Sequence, residues 1–212
     1  MNESDTPETN DQKERLQRDG VFYLVLADLI GSDNFARRKG NAAGIERVKA
    51  FSNKAHEALE NCKSRTSGIF IKPVGDAVFL VFRHFPDIVE WHLNFCGHLI
   101  VSPFLNEPIE TRTCVHVGEV RFADGDASGT AVNGLFKFET QTKKLSHVHA
   151  QILITEITQV IAGPTAYPPQ ISIEKDPVML ESGEKIFRVS VPAGIAFLHD
   201  KQKRDREIKD AI

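Results

Sequence analysis

The chain lacks the features that mark several well-defined protein classes. It has only three cysteines, Cys62, Cys96 and Cys114, and an odd number at wide spacing is typical neither of a disulfide framework nor of a zinc site. Its longest apolar runs, such as residues 21–27, are far shorter than the ~20 residues of a membrane-spanning helix. We therefore expect reduced thiols and a soluble, cytoplasmic protein with no membrane partner.

An excess of one charge sign is also missing. Lys and Arg number 26 and Asp and Glu number 29, which gives a net charge of −3. Proteins that bind nucleic-acid backbones are usually basic, so we expect no nucleic-acid partner. A small anionic ligand held at a local site stays compatible with this charge.

Two charged segments flank the central part of the chain. Residues 1–19 and 196–212 are rich in charged side chains, and both are predicted to be tails. Residues 20–195 are predicted to form one domain. Near its end, the Pro-rich segment 163–180 is expected to add short strands, and its role is left open.

The central part alternates between two hydrophobic periodicities. Residues 21–27 form a continuous apolar run, which is typical of a strand buried on both faces. The segments that follow are predicted as helix 34–62, strands 68–72 and 77–82, helix 88–99, strand 111–122, helix 130–145 and strand 152–154. This order predicts an α+β fold with a ferredoxin-like βαββαβ core, in which helices pack on one face of a mainly antiparallel sheet.

Two aspartates stand at the ends of predicted strands. Asp28 ends the first strand, and Asp76 follows Gly75 in the turn of the predicted hairpin. In such a sheet the two positions lie side by side, so the carboxylates are expected to meet and to suit Mg²⁺ or Mn²⁺. Backbone amides of residues 29–32, ahead of a helix, are candidates to hold a triphosphate. Taken singly, Asp28 is more simply a helix cap and Asp76 a turn residue.

Five short motifs follow one another along residues 20–160. They are Leu26-Ala27-Asp28-Leu29-Ile30-Gly31, Lys72-Pro73-Val74-Gly75-Asp76-Ala77-Val78, Arg112-Thr113-Cys114-Val115-His116-Val117-Gly118-Glu119-Val120, Gly129-Thr130-Ala131-Val132-Asn133 and Gln151-Ile152-Leu153-Ile154-Thr155. In this order they resemble the class III nucleotide cyclases, the catalytic domain of adenylyl and guanylyl cyclases. The ordered set carries the resemblance, because each motif alone is weak.

The resemblance implies an enzyme that converts a nucleoside triphosphate to a 3′,5′-cyclic monophosphate and pyrophosphate. Two Mn²⁺ or Mg²⁺ ions per site are implied, with Asp28, Leu29 and Asp76 as their ligands. The phosphate-binding residues implied by the first motif are Leu29, Ile30, Gly31 and Ser32.

Catalytic roles are implied for Asn133 and Lys137. Asn133 would orient the ribose. Lys137, four residues later, stands where the family usually has an arginine that binds the phosphates. Lysine keeps the positive charge but lacks the forked, bidentate geometry of arginine. A solvated helix charge is the alternative interpretation of Lys137.

Base recognition is implied for Lys72 and Asp126. A donor and an acceptor at these positions fit an adenylyl cyclase, although cytosine offers matching groups as well. A turn role is the alternative interpretation of Asp126. Two departures from the family pattern, Gly31-Ser32-Asp33 and Gly134-Leu135-Phe136, argue against ordinary purine specificity.

The resemblance also implies a head-to-tail homodimer with two equivalent sites. One subunit would supply the metal ligands, and the other Asn133, Lys137 and the base-binding residues. A free-standing, divergent cyclase is similar to the bacterial Pycsar-type pyrimidine cyclases, which make cyclic UMP or cyclic CMP for a separate effector in antiphage defence. The alternatives are an adenylyl cyclase that makes cyclic AMP and a non-catalytic nucleotide-binding module.

Overall fold

The computed structural model describes residues 19–62, 68–101, 104–105, 107, 109–145, 151–162 and 172–190. The predicted tail 196–212, residues 1–18 of the other tail and residues 163–171 of the Pro-rich segment lie outside these ranges. Predictions for those segments therefore stay predictions.

The described residues form five helices and nine strands. In chain order they are β1 (Gly20–Leu29), α1 (Ser32–Lys39), α2 (Asn41–Asn61), β2 (Ile69–Val74), β3 (Ala77–Phe82), α3 (Phe85–Val101), β4 (Thr111–Ala123), β5 (Asp126–Ser128), α4 (Thr130–Thr142), β6 (Gln151–Thr155), α5 (Glu156–Ala162), β7 (Ser172–Ile173), β8 (Val178–Met179) and β9 (Lys185–Ser190). None of the helices in these described ranges has the length and apolar character needed to cross a membrane.

The strands form one mixed sheet in the order β2-β3-β1-β4-β6-β9-β7, with β5 paired to β4 and β8 to β9. Within the described ranges only the β4–β6 pair is parallel. A parallel pair needs a crossover connection, which here contains α4. The predicted α+β class and mainly antiparallel sheet are confirmed.

Helices cover both faces of the sheet, so the prediction that they pack on one face is wrong. Val25 of β1 lies in a core with Phe51 of α2 and with residues of α3. Its neighbour Leu24 lies in a second core with Leu135 of α4. Successive strand residues point to opposite faces, so the continuous apolar run of β1 supplies both cores.

The predicted helix 34–62 is two helices, α1 and α2, separated at Gly40. Gly40 has φ 92, a left-handed conformation that glycine adopts without steric cost. The apolar spacing that predicts a helix lies in residues 45–59 and contains no signal of this break. Helix α5 and strand β5 are short elements that the pattern did not indicate.

Candidate active site

Strand pairing brings Asp28 and Asp76 together. Asp28 is the partner of Ala77 in the antiparallel β1–β3 register, and Asp76 precedes Ala77 in the β2–β3 turn. The Leu29 amide donates a hydrogen bond to the Asp76 carbonyl oxygen at 3.0 Å. This bond fixes the turn against the end of β1, so both carboxylates lie at one end of the central strands.

Both aspartates line one pocket of about 320 Å³. Its remaining walls are the connection from β1 to α1, the first turns of α1, and two basic side chains. The lining residues are Asp28, Leu29, Ile30, Gly31, Ser32, Asp33, Asn34, Arg37, Asp76, Arg112 and Lys143. The residues that the first motif and the hairpin turn predict to bind metal or phosphate, namely Asp28, Leu29, Ile30, Gly31, Ser32 and Asp76, therefore all border this pocket.

The backbone amides of the β1–α1 connection are not equivalent. Those of Leu29 and Ile30 donate to the carbonyl oxygens of Asp76 and Glu110, each at 3.0 Å, so they are engaged within the protein. Helix α1 then begins after Gly31 (φ 74) without a side-chain cap. The first amides of a helix have no intrahelical partner, so the amides that suit a phosphate belong to the first turn of α1. The Ser32 hydroxyl donates to the Asp76 carboxylate.

Arg112 lines the pocket, and no role was predicted for it from sequence. It is the cross-strand partner of Asp28 in the β1–β4 register, and its side chain is 7% exposed. The Arg112 Nη2 atom lies 2.6 Å from Asp28 Oδ2, and Nη1 donates to the Thr142 carbonyl oxygen at 3.1 Å. The sequence shows opposite charges near the end of β1 and the start of β4. Only the strand register shows that Asp28 and Arg112 contact each other.

Lys143 was also missed. It follows directly after α4, and its Nζ lies 3.1 Å from Glu139 Oε1 and 3.8 Å from Asp28 Oδ1. The Glu139 side chain is buried, whereas that of Lys143 is 50% exposed. No sequence pattern indicates that the end of α4 approaches the end of β1.

The electrostatics of Asp28 favour a cation. Its side chain is 6% exposed, and Oδ1 accepts no hydrogen bond. Burial raises the pKa of Asp28 most strongly, the charges of Lys143 and Arg112 lower it, and the pKa settles at about 6 instead of 3.8. A divalent cation beside Oδ1 would offset the cost of this buried charge.

The donor set at the pocket fits a hard divalent ion. Two carboxylates converge there, and the described part of the chain contains no group of three or more His, Cys, Asp and Glu side chains suited to a metal. Mg²⁺ is usually held by one or two carboxylates together with water and substrate phosphates. Asp28 and Asp76 meet that description without a third acidic ligand.

The predicted base-binding residues lie outside this pocket and contact each other. The Lys72 ammonium group donates to the Asp126 carboxylate, and the two side chains are 46% and 50% exposed. The hydrogen bonds from Lys72 and from the Ala127 amide hold the pKa of Asp126 below its usual value. The preceding turn is made by Asp124 and Gly125, with φ 52 and 77, whereas Asp126 begins β5.

The predicted catalytic pair on α4 is likewise separate from the pocket. Asn133 and Lys137 are exposed and lie one helical turn apart, so they share a face of α4. Neither lines the pocket of Asp28 and Asp76. The structure thus brings the predicted metal and phosphate residues together and leaves the other four outside that group.

Comparison with known proteins yields matches in structure. The chain matches no protein-family model and no curated protein sequence. An adenylate/guanylate cyclase/hydrolase from Silicibacter pomeroyi is 17% identical, with a TM-score of 0.59 over 82% of this chain and 98% of that one. The catalytic core of a rhodopsin-guanylyl cyclase with converted specificity, in complex with ATPαS, is 16% identical, with a TM-score of 0.61 over 82% and 96%.

A third solved structure agrees with these two. The adenylyl cyclase CyaB from P. aeruginosa is 17% identical, with a TM-score of 0.59 over 82% of this chain and 94% of that one. The chain thus spans nearly the full length of each of these catalytic domains. It has the fold of the class III adenylyl and guanylyl cyclase catalytic domains.

Proposed function

We propose that the protein is a nucleotide cyclase that converts a nucleoside triphosphate to a 3′,5′-cyclic monophosphate and pyrophosphate. One observation carries the proposal. Asp28, with a buried oxygen that accepts no hydrogen bond, lines the same pocket as Asp76, in a fold shared with adenylyl and guanylyl cyclases.

In this proposal the side chains of Asp28 and Asp76, with the main chain of Leu29, hold two Mn²⁺ or Mg²⁺ ions. Such ions, when bound, supply charge neutralisation of the triphosphate and acidify a ribose hydroxyl. The rest of the chemistry is positioning. The first-turn amides of α1 and the guanidinium of Arg112 lie where the phosphate chain would bind, and both attract negative charge.

The reaction balances within one substrate. The ribose 3′-oxygen loses its proton to water and forms a bond to the α-phosphorus, and the bond from that phosphorus to the bridging oxygen breaks. The electron pair leaves with pyrophosphate, whose developing charge is stabilised by fixed positive groups. Asn133 orients the ribose in this scheme, and Lys137 binds the phosphates as charge develops.

The site is proposed to be completed by a second copy of the chain. Asn133, Lys137, Lys72 and Asp126 are all outside the pocket that holds the metal ligands. A head-to-tail homodimer lets one protomer supply these four residues to the aspartates of its partner, with two equivalent sites. A monomer would then be inactive.

A pyrimidine triphosphate is the proposed substrate. Phe136 stands on α4 where a small residue is usual, and its ring centroid lies 5.9 Å from that of Phe79. Phe79 is the cross-strand partner of Lys72. The Phe136 ring therefore narrows the space beside Lys72, the proposed base-binding lysine, and favours a base with a single ring. The product, cyclic UMP or cyclic CMP, would act on a separate effector in antiphage defence.

An adenylyl cyclase is the second candidate. Its support is the contact between Lys72 and Asp126, which places an ammonium donor beside a carboxylate acceptor. Such a pair can bind the ring nitrogen and the exocyclic amine of adenine. Opening of this ion pair would be required before either group binds a base.

The test is incubation of the purified protein with ATP, GTP, CTP and UTP separately in the presence of Mn²⁺, with detection of cyclic monophosphate by mass. The proposal expects cyclic UMP or cyclic CMP as the main product, and none from Asp76→Asn. Cyclic AMP as the main product would favour the second candidate. No product from a folded dimer with any triphosphate would contradict cyclase activity and favour a binding module.

A further inference from the structure

We propose that Lys143 is a displaceable counter-cation of the metal site, which leaves Asp28 when metal and triphosphate enter and then binds the pyrophosphate end of the substrate. This inference rests on the proposed cyclase function and adds a phosphate-binding residue from the protomer that holds the metal. It also makes metal binding and phosphate binding depend on each other.

Four charged side chains form a balanced cluster at one wall of the pocket. Asp28 and Glu139 carry the negative charges, and Arg112 and Lys143 carry the positive charges. Arg112 lies 2.6 Å from Asp28 and 3.6 Å from Glu139, while Lys143 lies 3.8 Å and 3.1 Å from the same two carboxylates. A metal ion that binds to Asp28 alone would add two positive charges to an already neutral cluster.

The two cations differ in their freedom to move. Arg112 is 7% exposed and is anchored a second time by the Thr142 carbonyl oxygen at 3.1 Å. Lys143 is 50% exposed, and the lysine side chain is a flexible stem with a compact charge. The distance from Lys143 Nζ to Asp28 Oδ1 is 3.8 Å, too long for a hydrogen bond, and the closer contact of Lys143 is with Glu139 at 3.1 Å. Lys143 is therefore the cation that can leave Asp28 at low cost.

The position of Lys143 would allow its ammonium group to bind phosphate after it leaves Asp28. Lys143 borders the same pocket as Asp28, Asp76 and the first turn of α1, where the triphosphate is proposed to lie. A bound polyphosphate has several oxygen atoms that can accept hydrogen bonds from the ammonium group of Lys143. Lys143 therefore opposes Mn²⁺ binding when the pocket contains no phosphate and supports the binding of phosphate together with the metal.

This role predicts opposite effects of one substitution on two ligands. In Lys143→Met, affinity for Mn²⁺ alone should rise, because the competing cation is gone, and affinity for the manganese–pyrophosphate complex should fall, because a phosphate contact is lost. Each change is expected to be roughly three- to tenfold, as for a partly screened charge pair. Isothermal titration calorimetry at about pH 8 measures both while Asp28 is ionised.

Lys144→Met is the matched control. Lys144 is the next residue, has the same charge and pairs with Glu181 on the exposed side, and it does not line the pocket. It should leave both affinities within about twofold of the unmodified protein. Lys143→Arg retains the charge and should restore most of the pyrophosphate affinity.

A lower affinity of Lys143→Met for both Mn²⁺ and the manganese–pyrophosphate complex would overturn the proposal, because it would indicate a structural role. Unchanged affinities, or the same changes in Lys144→Met, would overturn it too. An unmodified protein that binds neither Mn²⁺ nor its pyrophosphate complex would contradict both proposals. If the opposite-signed pattern appears but no triphosphate is turned over, the role of Lys143 stands and cyclase activity fails.

Discussion

Two regions of the molecule carry the residues that sequence analysis singled out, and they differ in how complete they are. At the end of β1, Asp28 is buried among Arg112, Glu139 and Lys143. On the outer face of α4, Asn133 and Lys137 are exposed. The first region is organised within one chain, whereas the second presents exposed polar groups that do not line the pocket of Asp28.

The difference supports the proposal that one protomer does not contain a complete site. Burial of a carboxylate is unfavourable unless a cation or hydrogen-bond donors compensate it. At the end of β1, Arg112 and Lys143 compensate the charge of buried Asp28. Lys72 and Asp126 instead neutralise each other at the surface. A composite site formed by two copies would join the two regions and replace this contact by contacts with a base.

The largest expected effect tests the buried region. Asp76→Asn removes one of the two carboxylates that are proposed to bind metal while keeping the shape of the turn residue. We expect kcat to fall at least about a hundredfold, with the thermal midpoint little changed because Asp76 is only half-buried. Rate measurements with the best triphosphate check this. Asp176→Asn, in an exposed loop, is the control, and equal rates for the two variants would contradict a metal role.

The next effect tests the exposed region. Asn133→Ala should lower kcat by about tenfold to a hundredfold, because a ribose-orienting contact is lost. Mn²⁺ affinity should stay unchanged, since Asn133 does not line the pocket. Calorimetry and rate measurements on the same preparation test the two statements together. A parallel loss of Mn²⁺ affinity would show that the two regions are not independent.

A smaller effect distinguishes lysine from arginine on α4. Lys137→Arg supplies the planar fork that binds phosphate oxygens in pairs, so kcat should rise by roughly threefold, whereas Lys137→Ala should lower it by more than that. Initial rates for the three proteins decide the matter. If alanine at this position is as active as lysine, Lys137 is a solvated helix charge.

The last effect, which is of a size similar to that of Lys137→Arg, concerns pH. The metal-free pKa of Asp28 is raised to about 6, so protons compete with metal as the pH falls through that value. Between about pH 7.5 and 5.5 the Mn²⁺ affinity should fall by about fourfold from this group. Titration of Mn²⁺ into the protein at both pH values measures the change, and an affinity that is higher at the acidic pH would contradict it.

Part of this picture could be predicted from sequence, because it depends on local signals. A continuous apolar run that ends in Asp28 and a hairpin turn at Gly75-Asp76 identify two strand ends, and antiparallel pairing places neighbouring strand ends together. The placement of α4 on the second face could be predicted too, since residues 21–27 of β1 form a continuous apolar run that must be covered on both sides.

The rest depends on contacts that no local pattern contains. Arg112 contacts Asp28 only because of the β1–β4 register. Lys143 approaches Asp28 only because α4 ends close to the end of β1. The break at Gly40 depends on a backbone angle that the apolar periodicity does not record. Likewise, only the folded structure shows that the amides of Leu29 and Ile30 already donate hydrogen bonds to carbonyl oxygens of the protein.

The central claim is that the two regions form one site only when two copies of the chain meet. Mixing Asp76→Asn with Asn133→Ala, two variants of low activity, tests it most directly, because each heterodimer would contain one site with both regions intact. After equal mixing and subunit exchange, the account predicts recovery of about a quarter of the wild-type rate. A mixture that stays as inactive as its two components, although heterodimers are shown to form, would contradict it.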